Sequence, residues 1–215
     1  MNIPCRLFLG FCLCGMTFFS QCRPDSASSS EVSTISLSLD SLLFREGDLL
    51  FRCGIGGESR LVTSISRSSY SHVGILRRGL WGWEVVHAVP GEALPGEEDF
   101  LKSESLDLFL APGRARMALH AQVACLDSVA IHAACYAYDK VLRHCTFDHD
   151  YRLNDSTQYY CTELIYRAYL AQGVDLVEDR RHSLPIPTHD NKYVFPSDIL
   201  ESKQVYELSF SGVCN

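Results

Sequence analysis

The sequence predicts one α+β domain behind an export segment and a tether. Its 215 residues are enough for one well-buried domain and few for two. Short apolar runs bounded by turn residues alternate with helical periodicities, of which the longest lie at 126–142 and 161–171. Strands and separate helices without an internal repeat are typical of an α+β fold.

Residues 1–21 are interpreted as a secretory signal peptide. Arg6 provides a positive start, and residues 7–19 form an apolar run interrupted by Gly, Cys and Thr. Because this run is short for a bilayer span, a membrane helix is not predicted. A buried N-terminal helix is the alternative.

Cys22 ends the apolar run and precedes a Ser-rich stretch, which resembles a bacterial lipoprotein signal. Gln21 stands where such signals usually carry a small residue. We expect lipidation of Cys22, with simple secretion as the alternative. Residues 22–40 are interpreted as a tether and residues 41–215 as the domain. The implied location is the bacterial cell envelope, with the domain anchored to the membrane and facing the periplasm or the exterior.

The overall charge argues against nucleic acid as a partner. The formal net charge is -7, and no basic stripe is present that could follow a phosphate backbone. The ten cysteines do not suggest a disulfide scaffold either. Three leave with the signal, and setting aside Cys22 and Cys161 leaves an odd number.

The hydrophobic pattern predicts the following order of elements inside the domain. After a turn at 46–48 come a strand to 51, a helix at 58–66, a β-hairpin at 72–89, a helix at 99–110, a strand at 115–123, a helix at 126–142, a strand or loop at 147–153, a helix at 161–171, a short helix from 196 and a strand at 205–210.

Cys161 is the candidate nucleophile. It opens the clearest helix of the sequence, where the helix dipole and free backbone N–H groups favour a thiolate. The same N–H groups could stabilise the oxyanion that forms on an attacked carbonyl. A cysteine in an apolar stretch is also a common core residue, so Cys161 needs a partner to carry chemistry.

His72 and His87 provide that partner. The predicted hairpin places them on adjacent strands, where they can face the same side of the sheet. His72 would then take the thiol proton through one ring nitrogen, while His87 holds the other nitrogen and fixes the tautomer. Either histidine alone would more often be structural.

Three short motifs resemble the circularly permuted branch of the NlpC/P60 papain-like superfamily, and most closely its YiiX/YaeF-like envelope proteins. They are Gly47-Asp48-Leu49-Leu50-Phe51, Ser71-His72-Val73-Gly74 and Tyr160-Cys161-Thr162-Glu163-Leu164. The tail at 196–200 is also similar. The resemblance covers residues 43–210, with the histidine strand before the cysteine helix, the reverse of papain.

The resemblance implies a fold in which an antiparallel sheet or partial barrel packs against helices that include the nucleophile helix. It makes Cys161 the nucleophile, His72 the base and His87 the third polar residue. Many members of the group carry Glu at that third position, and His is the choice of the lecithin:retinol acyltransferase-like branch. Tyr160 is a further candidate for binding the oxyanion, although its ring could simply pack.

These residues predict a cysteine hydrolase that forms a thioester acyl-enzyme and needs no cofactor or metal. The envelope location favours an amide bond in peptidoglycan stem peptides or related peptides. The alternative within the permuted branch is an acyl hydrolase or acyltransferase acting on a lipid or acyl amide. Leu80, Trp81 and Trp83 could line an acyl site, although such residues more often pack in a core or hairpin.

Two alternatives belong to other classes of protein. One is a catalytically idle lipoprotein that binds a ligand in the same cleft. The other is a metal site built from His144, Cys145, Asp148 and His149, a cluster without a second convincing pair of ligands.

Overall fold

The structure, a computed structural model, describes residues 37–93, 95–153, 155–183 and 192–212. The predicted signal peptide, Cys22 and most of the tether lie outside the described residues. Leu37 belongs to the stretch predicted as tether, yet it is buried, and its neighbour Ser38 donates its N–H to Ser211 Oγ at 2.9 Å. Among the described residues, no helix combines the length and apolar character needed to cross a membrane.

The described residues form the following strands and helices. The strands are β1 (Leu49–Gly54), β2 (His72–Arg78), β3 (Trp83–His87), β4 (Lys102–Ser105), β5 (Ala115–Val123), β6 (Thr146–Phe147), β7 (Gln158–Tyr159), β8 (His182–Ser183), β9 (Lys192–Tyr193) and β10 (Val205–Gly212). The helices are α1 (Gly57–Ser66), α2 (Leu106–Phe109), α3 (Asp127–Leu142), α4 (Cys161–Leu170) and α5 (Pro196–Leu200), with a 3-10 turn at Ser41–Leu43.

A six-stranded sheet organises the fold, in the order β10-β5-β1-β2-β3-β4. Every neighbouring pair in it is antiparallel. The predicted α+β class is therefore confirmed. β1 and β2 lie at the centre, and because β1 to β4 follow one another across the sheet, the predicted hairpin and its neighbours form a compact meander.

The sheet is covered on both faces. On one face Phe51, Val73 and Ile75 pack with residues of α3 and α4 in the larger core cluster. The apolar face predicted for the helix that starts at Cys161 is fully buried there, at Leu164, Ile165, Ala168 and Tyr169. On the other face a smaller cluster joins Leu50, Leu76 and Val85 to α2 and to the N-terminal residues Leu37 and Phe44.

The Gly47-Asp48 pair fixes the entry into β1. Gly47 has φ +90, a conformation that a side chain disfavours, and a Cβ atom there would lie 2.4 Å from the backbone oxygen of Ala130 in α3. The hydroxyl of Tyr169 in α4 donates to the Gly47 carbonyl. Asp48 is fully buried, and its carboxylate contacts His120 Nε2 at 2.8 Å. This turn thus ties both core helices to the sheet.

The helix predicted at 99–110 is wrong. Residues 102–105 form β4, which pairs with β3 along the edge of the sheet, and only Leu106–Phe109 are helical. Pairing with an existing strand outweighs the weak helical preference of this polar segment. Ser105 ends β4 and caps α2 by accepting the N–H of Leu108 at 3.3 Å. The strands and helices predicted at 115–123, 126–142 and 205–210 are confirmed to within two residues.

Candidate active site

Cys161 is the first residue of α4, directly after the N-cap Tyr160. The backbone N–H groups of Val73, Thr162 and Cys161 itself are directed at its sulfur. Cys161 is partly buried and lines a cavity of about 580 Å³. The nucleophile candidate therefore lies at a helix start, with free donors around it and access from solvent, as expected from the sequence.

His72 lines the same cavity, from the first position of β2. Since Val73 directs its N–H at the thiol, the residue next to His72 in the strand contacts Cys161. His72 is 7% exposed, so its ring meets solvent only through the cavity. The structure thus brings the two residues predicted as nucleophile and base to one opening.

His87 stands behind His72, away from the cavity. Its Nδ1 lies 2.9 Å from His72 Nε2, and His87 is fully buried. Gly74 makes this approach possible, because a Cβ there would lie 2.4 Å from Val85 Cγ1 and 3.2 Å from His87 Cβ. With Nε2 of His72 taken by His87, Nδ1 is the ring nitrogen left for the thiol.

Phe109 packs against both histidines and against Arg52. Its ring centroid lies 5.9 Å from that of His72 and 5.1 Å from that of His87. Arg52, paired with His72 across the sheet, stacks on Phe109 and donates to its carbonyl oxygen at 2.8 Å. These contacts fix the planes of the rings, and sequence reasoning did not single out either residue.

A carboxylate missed by the sequence interpretation completes the group. Glu104 Oε1 lies 3.1 Å from His87 Nε2, a contact looser in geometry than a well-formed hydrogen bond. Arg114 donates to both oxygens of Glu104, at 3.0 and 2.8 Å. The sequence signal for Glu104 was weak, because it is an acidic residue in a short polar stretch. Its place beside His87 can be recognised only if that stretch is assigned to an edge strand.

Burial favours the uncharged forms of Cys161 and His72. It raises the pKa of the Cys161 thiol to about 11, although the surrounding N–H groups and Arg52 act in the opposite direction. Burial also lowers the pKa of His72 well below its ordinary value of 6.5, and the charge of Arg52 and the neighbouring His87 lower it further. At neutral pH both shifts favour a thiol at Cys161 and an uncharged imidazole at His72.

If His72 acts as a base, its low pKa predicts activity that persists into mildly acidic solution. A base works only when neutral, and a lowered pKa keeps His72 neutral to a lower pH. We expect the acid limb of kcat/KM to have its midpoint below pH 6.5, measured on the full chain with a substrate that does not titrate. A midpoint at or above pH 7 would contradict the burial of a neutral His72.

Tyr160, the oxyanion candidate, is buried, and its ring packs 5.4 Å from that of Tyr151. Its hydroxyl oxygen accepts the N–H of Val194 at 3.3 Å, and burial raises its pKa. The hydroxyl could still donate its proton elsewhere. The contacts nevertheless favour packing, and the backbone N–H groups around Cys161 are better placed for an oxyanion.

The cavity and a smaller apolar pocket meet at Cys161. The cavity carries the charged side chains of Arg52, Glu58, Glu92 and Arg114 beside apolar residues. The apolar pocket measures about 180 Å³. It is formed mainly by α1 and the segment after β9, with Leu61, Val62, Ile65, Tyr151, Val194, Phe195 and Pro196 among its lining residues. Cys161 and Tyr160 line both spaces.

The hairpin residues suggested for an acyl site lie elsewhere. Leu80 and Trp81 form the tip of the β2–β3 hairpin and are 92% and 98% exposed. That tip is at the end of β2 opposite to His72. Trp83 packs edge-on against Phe44, with ring centroids 5.7 Å apart. None of the three lines the cavity or the apolar pocket, so the structure gives no support to an acyl site there, and Trp83 has the packing role that was the other interpretation.

Glu163 gives a prediction about stability. Burial raises its pKa to about 8, although Arg167 Nη2 lies 2.8 Å from Oε1 and acts in the opposite direction. An acid with a raised pKa stabilises the fold below its unfolded pKa near 4.5, and this contribution is lost as pH rises through about 8. The unfolding free energy of wild type should therefore fall by on the order of 2–4 kcal/mol from pH 5 to pH 9. Glu163→Gln has no carboxyl group to titrate at this position and should not show this loss.

Urea unfolding of the full chain at both pH values measures this difference. The exposed Glu201→Gln is the matched control and should follow wild type. Parallel curves for wild type and Glu163→Gln would contradict the raised pKa.

The cluster considered as a metal site is engaged in other contacts. The carboxylate of Asp148 accepts the backbone N–H groups of Asp150 and Arg152, and His149 Nε2 lies 3.4 Å from Asp99 Oδ2. The ring of His144 packs against Phe100, with centroids 5.8 Å apart. Within the described ranges, no three His, Cys, Asp or Glu side chains come together as a metal-binding group would.

Comparison with known proteins connects the chain to one fold. No family model matches it, and no curated protein does. The crystal structure of a protein described as metalloprotein YiiX, from Escherichia coli O157:H7, matches with a TM-score of 0.62 and 16% identity. The match covers 77% of this chain and 96% of the YiiX chain.

The word metalloprotein applies to YiiX. In this chain the described donor residues do not fit a protein-held metal ion, because no group of three is present among them and His72 already uses one ring nitrogen on His87. The match supports the resemblance drawn from the short motifs, but only for the fold. This chain has the YiiX fold.

Proposed function

We propose that this chain is a cysteine hydrolase of the cell envelope that cleaves an amide bond in a peptidoglycan stem peptide or a related peptide. The observation that carries the proposal is the meeting in one cavity of Cys161, at the start of α4, and His72, which is backed by His87 at 2.9 Å. A lone cysteine or histidine would support packing just as well. Both together, with donors around the sulfur, have the composition of a nucleophile and base.

The arrangement also favours a permuted papain-like order of the site. The histidines come from β2 and β3, and the cysteine from α4 more than 70 residues later. In papain the cysteine comes first. The YiiX fold is compatible with a hydrolase of this kind, while the assignment of the site to the papain-like type remains part of this proposal.

The proposed reaction proceeds through a thioester. As the Cys161 sulfur attacks the carbonyl carbon, its proton passes to His72 Nδ1, a C–S bond forms and the carbonyl oxygen becomes an oxyanion. The C–N bond then breaks, and the leaving amine takes the proton from His72. Water attacks the thioester and gives a proton to His72, the C–S bond breaks, and the thiol is restored as the acid leaves.

The backbone around the sulfur supplies the donors for the oxyanion. The N–H groups of Val73, Thr162 and Cys161 converge on this region, and preformed donors stabilise charge that develops in the transition state. They belong to β2 and α4, two elements held together in the main core, so their positions do not depend on a surface loop.

Turnover of defined fragments tests the proposal. The full chain and its Cys161→Ala variant are incubated with muropeptides and synthetic stem peptides, and products are identified by mass spectrometry. A new amine and a new carboxylate, formed by wild type and absent with Cys161→Ala, are expected. If wild type binds these fragments without cleaving any, the idle binding lipoprotein becomes the better description.

The apolar pocket favours a second candidate, hydrolysis or transfer of an acyl group from a lipid or acyl amide. Its volume of about 180 Å³ is of the order that holds a small hydrocarbon, and it opens at Cys161. Val62→Trp should fill it and lower turnover of an octanoyl ester at least about tenfold relative to an acetyl ester. Ser64→Trp, on the exposed side of α1, is the control. Equal losses for both esters would argue for the peptide substrate.

Membrane anchoring through Cys22 remains a proposal from the sequence. Cells that express the full chain are fed an alkyne fatty acid, and the label on the protein is compared with that of Cys22→Ser. Labelling that requires Cys22 is expected. Export without any acyl label would leave simple secretion as the better account.

A further inference from the structure

A line of polar groups runs from the cavity into the protein and ends at a carboxylate. His72 Nε2 lies 2.9 Å from His87 Nδ1, and His87 Nε2 lies 3.1 Å from Glu104 Oε1. Glu104 is 9% exposed, and Arg114 holds both of its oxygens. The line crosses three adjacent strands, β2, β3 and β4, so the sheet itself sets its spacing.

The donor and acceptor properties of these groups determine which ring nitrogen of each histidine carries the proton. A neutral imidazole has one N–H and one bare nitrogen, and a carboxylate only accepts. The contact of His87 Nε2 with Glu104 Oε1 is looser than a well-formed hydrogen bond, but a carboxylate attracts only a protonated Nε2, so the proton of His87 is on Nε2 and its Nδ1 is bare. His72 must then carry its proton on Nε2, which leaves Nδ1 bare on the side of the thiol. That is the tautomer that a base for Cys161 requires.

We propose that Glu104 is a positioning residue that fixes the tautomers of both histidines and thereby keeps His72 ready to accept the thiol proton. The inference rests on the proposed function only in its last step, the link to Cys161. Glu104 touches neither the cavity nor the sulfur, and it acts through two rings.

Without the Glu104 carboxylate, the proton positions on the two histidines would no longer be fixed. His87 could then place its proton on Nδ1, facing His72 Nε2, and His72 would have to turn its own proton to Nδ1 to avoid two facing N–H groups. In that tautomer His72 cannot accept from Cys161. The wrong tautomer abolishes base function without any change in which residues are present.

The surroundings keep Glu104 ionised and therefore an acceptor. Burial alone would raise its pKa, but its contact with His87 and the charge of Arg114 outweigh burial and lower the pKa to about 2. Other charges close the network: Glu92 lies 2.8 Å from Arg114 and 2.6 Å from Arg52, and Lys102 donates to the Glu92 carbonyl. Arg114 is thus anchored by a second carboxylate if Glu104 is replaced.

Nitrogen NMR of the imidazole rings tests the proposal directly, because the ¹⁵N shifts distinguish a protonated from a bare ring nitrogen. In the full-length wild type at pH 8, both His72 and His87 should be protonated at Nε2, with assignments made from single histidine variants. A bare Nε2 on His87 in wild type would overturn the proposal, and this reading needs no Glu104 variant.

Substitutions extend the test. Glu104→Leu removes the acceptor and should move the proton of His72 to Nδ1, whereas Glu104→Gln keeps an acceptor oxygen and should keep the wild-type tautomer. Glu84→Gln is the matched control, since Glu84 joins the same strands through Arg77 and Ser103 but touches neither histidine. Wild-type tautomers in folded Glu104→Leu would contradict the proposal.

The rate of acylation of Cys161 by an acyl probe supplies the functional readout. It should fall at least about tenfold in Glu104→Leu, recover in Glu104→Gln and stay unchanged in Glu84→Gln. If wild-type Cys161 does not react at all, the proposed hydrolase fails while the NMR result still decides the role of Glu104. If wild type reacts and Glu104→Leu reacts equally fast, the role of Glu104 fails alone.

Discussion

His72→Ala is expected to lower the rate of acylation of Cys161 by about 100- to 10,000-fold, the range that a positioned general base contributes. The cause is the resting state of the pair. Because burial raises the pKa of Cys161 to about 11, very little thiolate exists at neutral pH without a base. Acylation measured by intact mass against time, at pH 7 and pH 10, gives the size of the effect and its pH dependence.

The pH dependence separates loss of the base from loss of the fold. The deficit of His72→Ala should shrink toward pH 10, because hydroxide then generates the thiolate that His72 no longer provides. His132→Ala, on α3 and away from the cavity, is the control and should behave as wild type. A deficit that is equal at both pH values, in a folded variant, would contradict the role of His72 as base.

Gly47→Ala should cause the largest loss of stability among the glycine substitutions, about 2–5 kcal/mol. Two independent effects add here. The positive φ of Gly47 disfavours any side chain, and the new Cβ would overlap the Ala130 backbone of α3 at 2.4 Å. Backbone of a buried helix cannot yield as the end of a flexible side chain can, so the turn or α3 must move.

Thermal unfolding of Gly47→Ala measures this effect, with an expected fall in Tm of about 5–15 °C for a domain of this size. Gly113→Ala is the matched control, because its Cβ would meet open space at an ordinary φ, and it should lie within about 0.5 kcal/mol of wild type. Equal Tm values for the two variants would show that the Gly47 turn is not closely packed against α3.

Several parts of the fold and site could be predicted because local signals were strong. The helix that begins at Cys161 carries a dense apolar face, and that face is buried as predicted. The hairpin that contains His72 and His87 has strand residues on both sides of a Gly-rich turn, and its pairing brings His72 Nε2 within 2.9 Å of His87 Nδ1. Period and turn chemistry are sufficient in such segments.

Other parts depend on contacts that local sequence does not encode. Residues 102–105 became a strand because β3 offered an edge, and this placed Glu104 against His87. Phe109 reached both rings only because α2 follows that strand. The apolar pocket joins α1 to residues 193–196, more than 120 positions apart in the chain. The hydrophobic pattern within either segment does not predict that the two segments line one pocket.

Both proposed reactions, amide hydrolysis and acyl hydrolysis or transfer, require an activated sulfur at residue 161. The direct measurement is the intact mass of the full chain after incubation with an acyl ester probe, compared with Cys161→Ala under the same conditions. One acyl group per molecule on wild type, released by hydroxylamine as a thioester should be and absent from Cys161→Ala, is the predicted result. Acylation spread over Cys53, Cys125, Cys135 and Cys145 at similar rates, unchanged in Cys161→Ala, would contradict it.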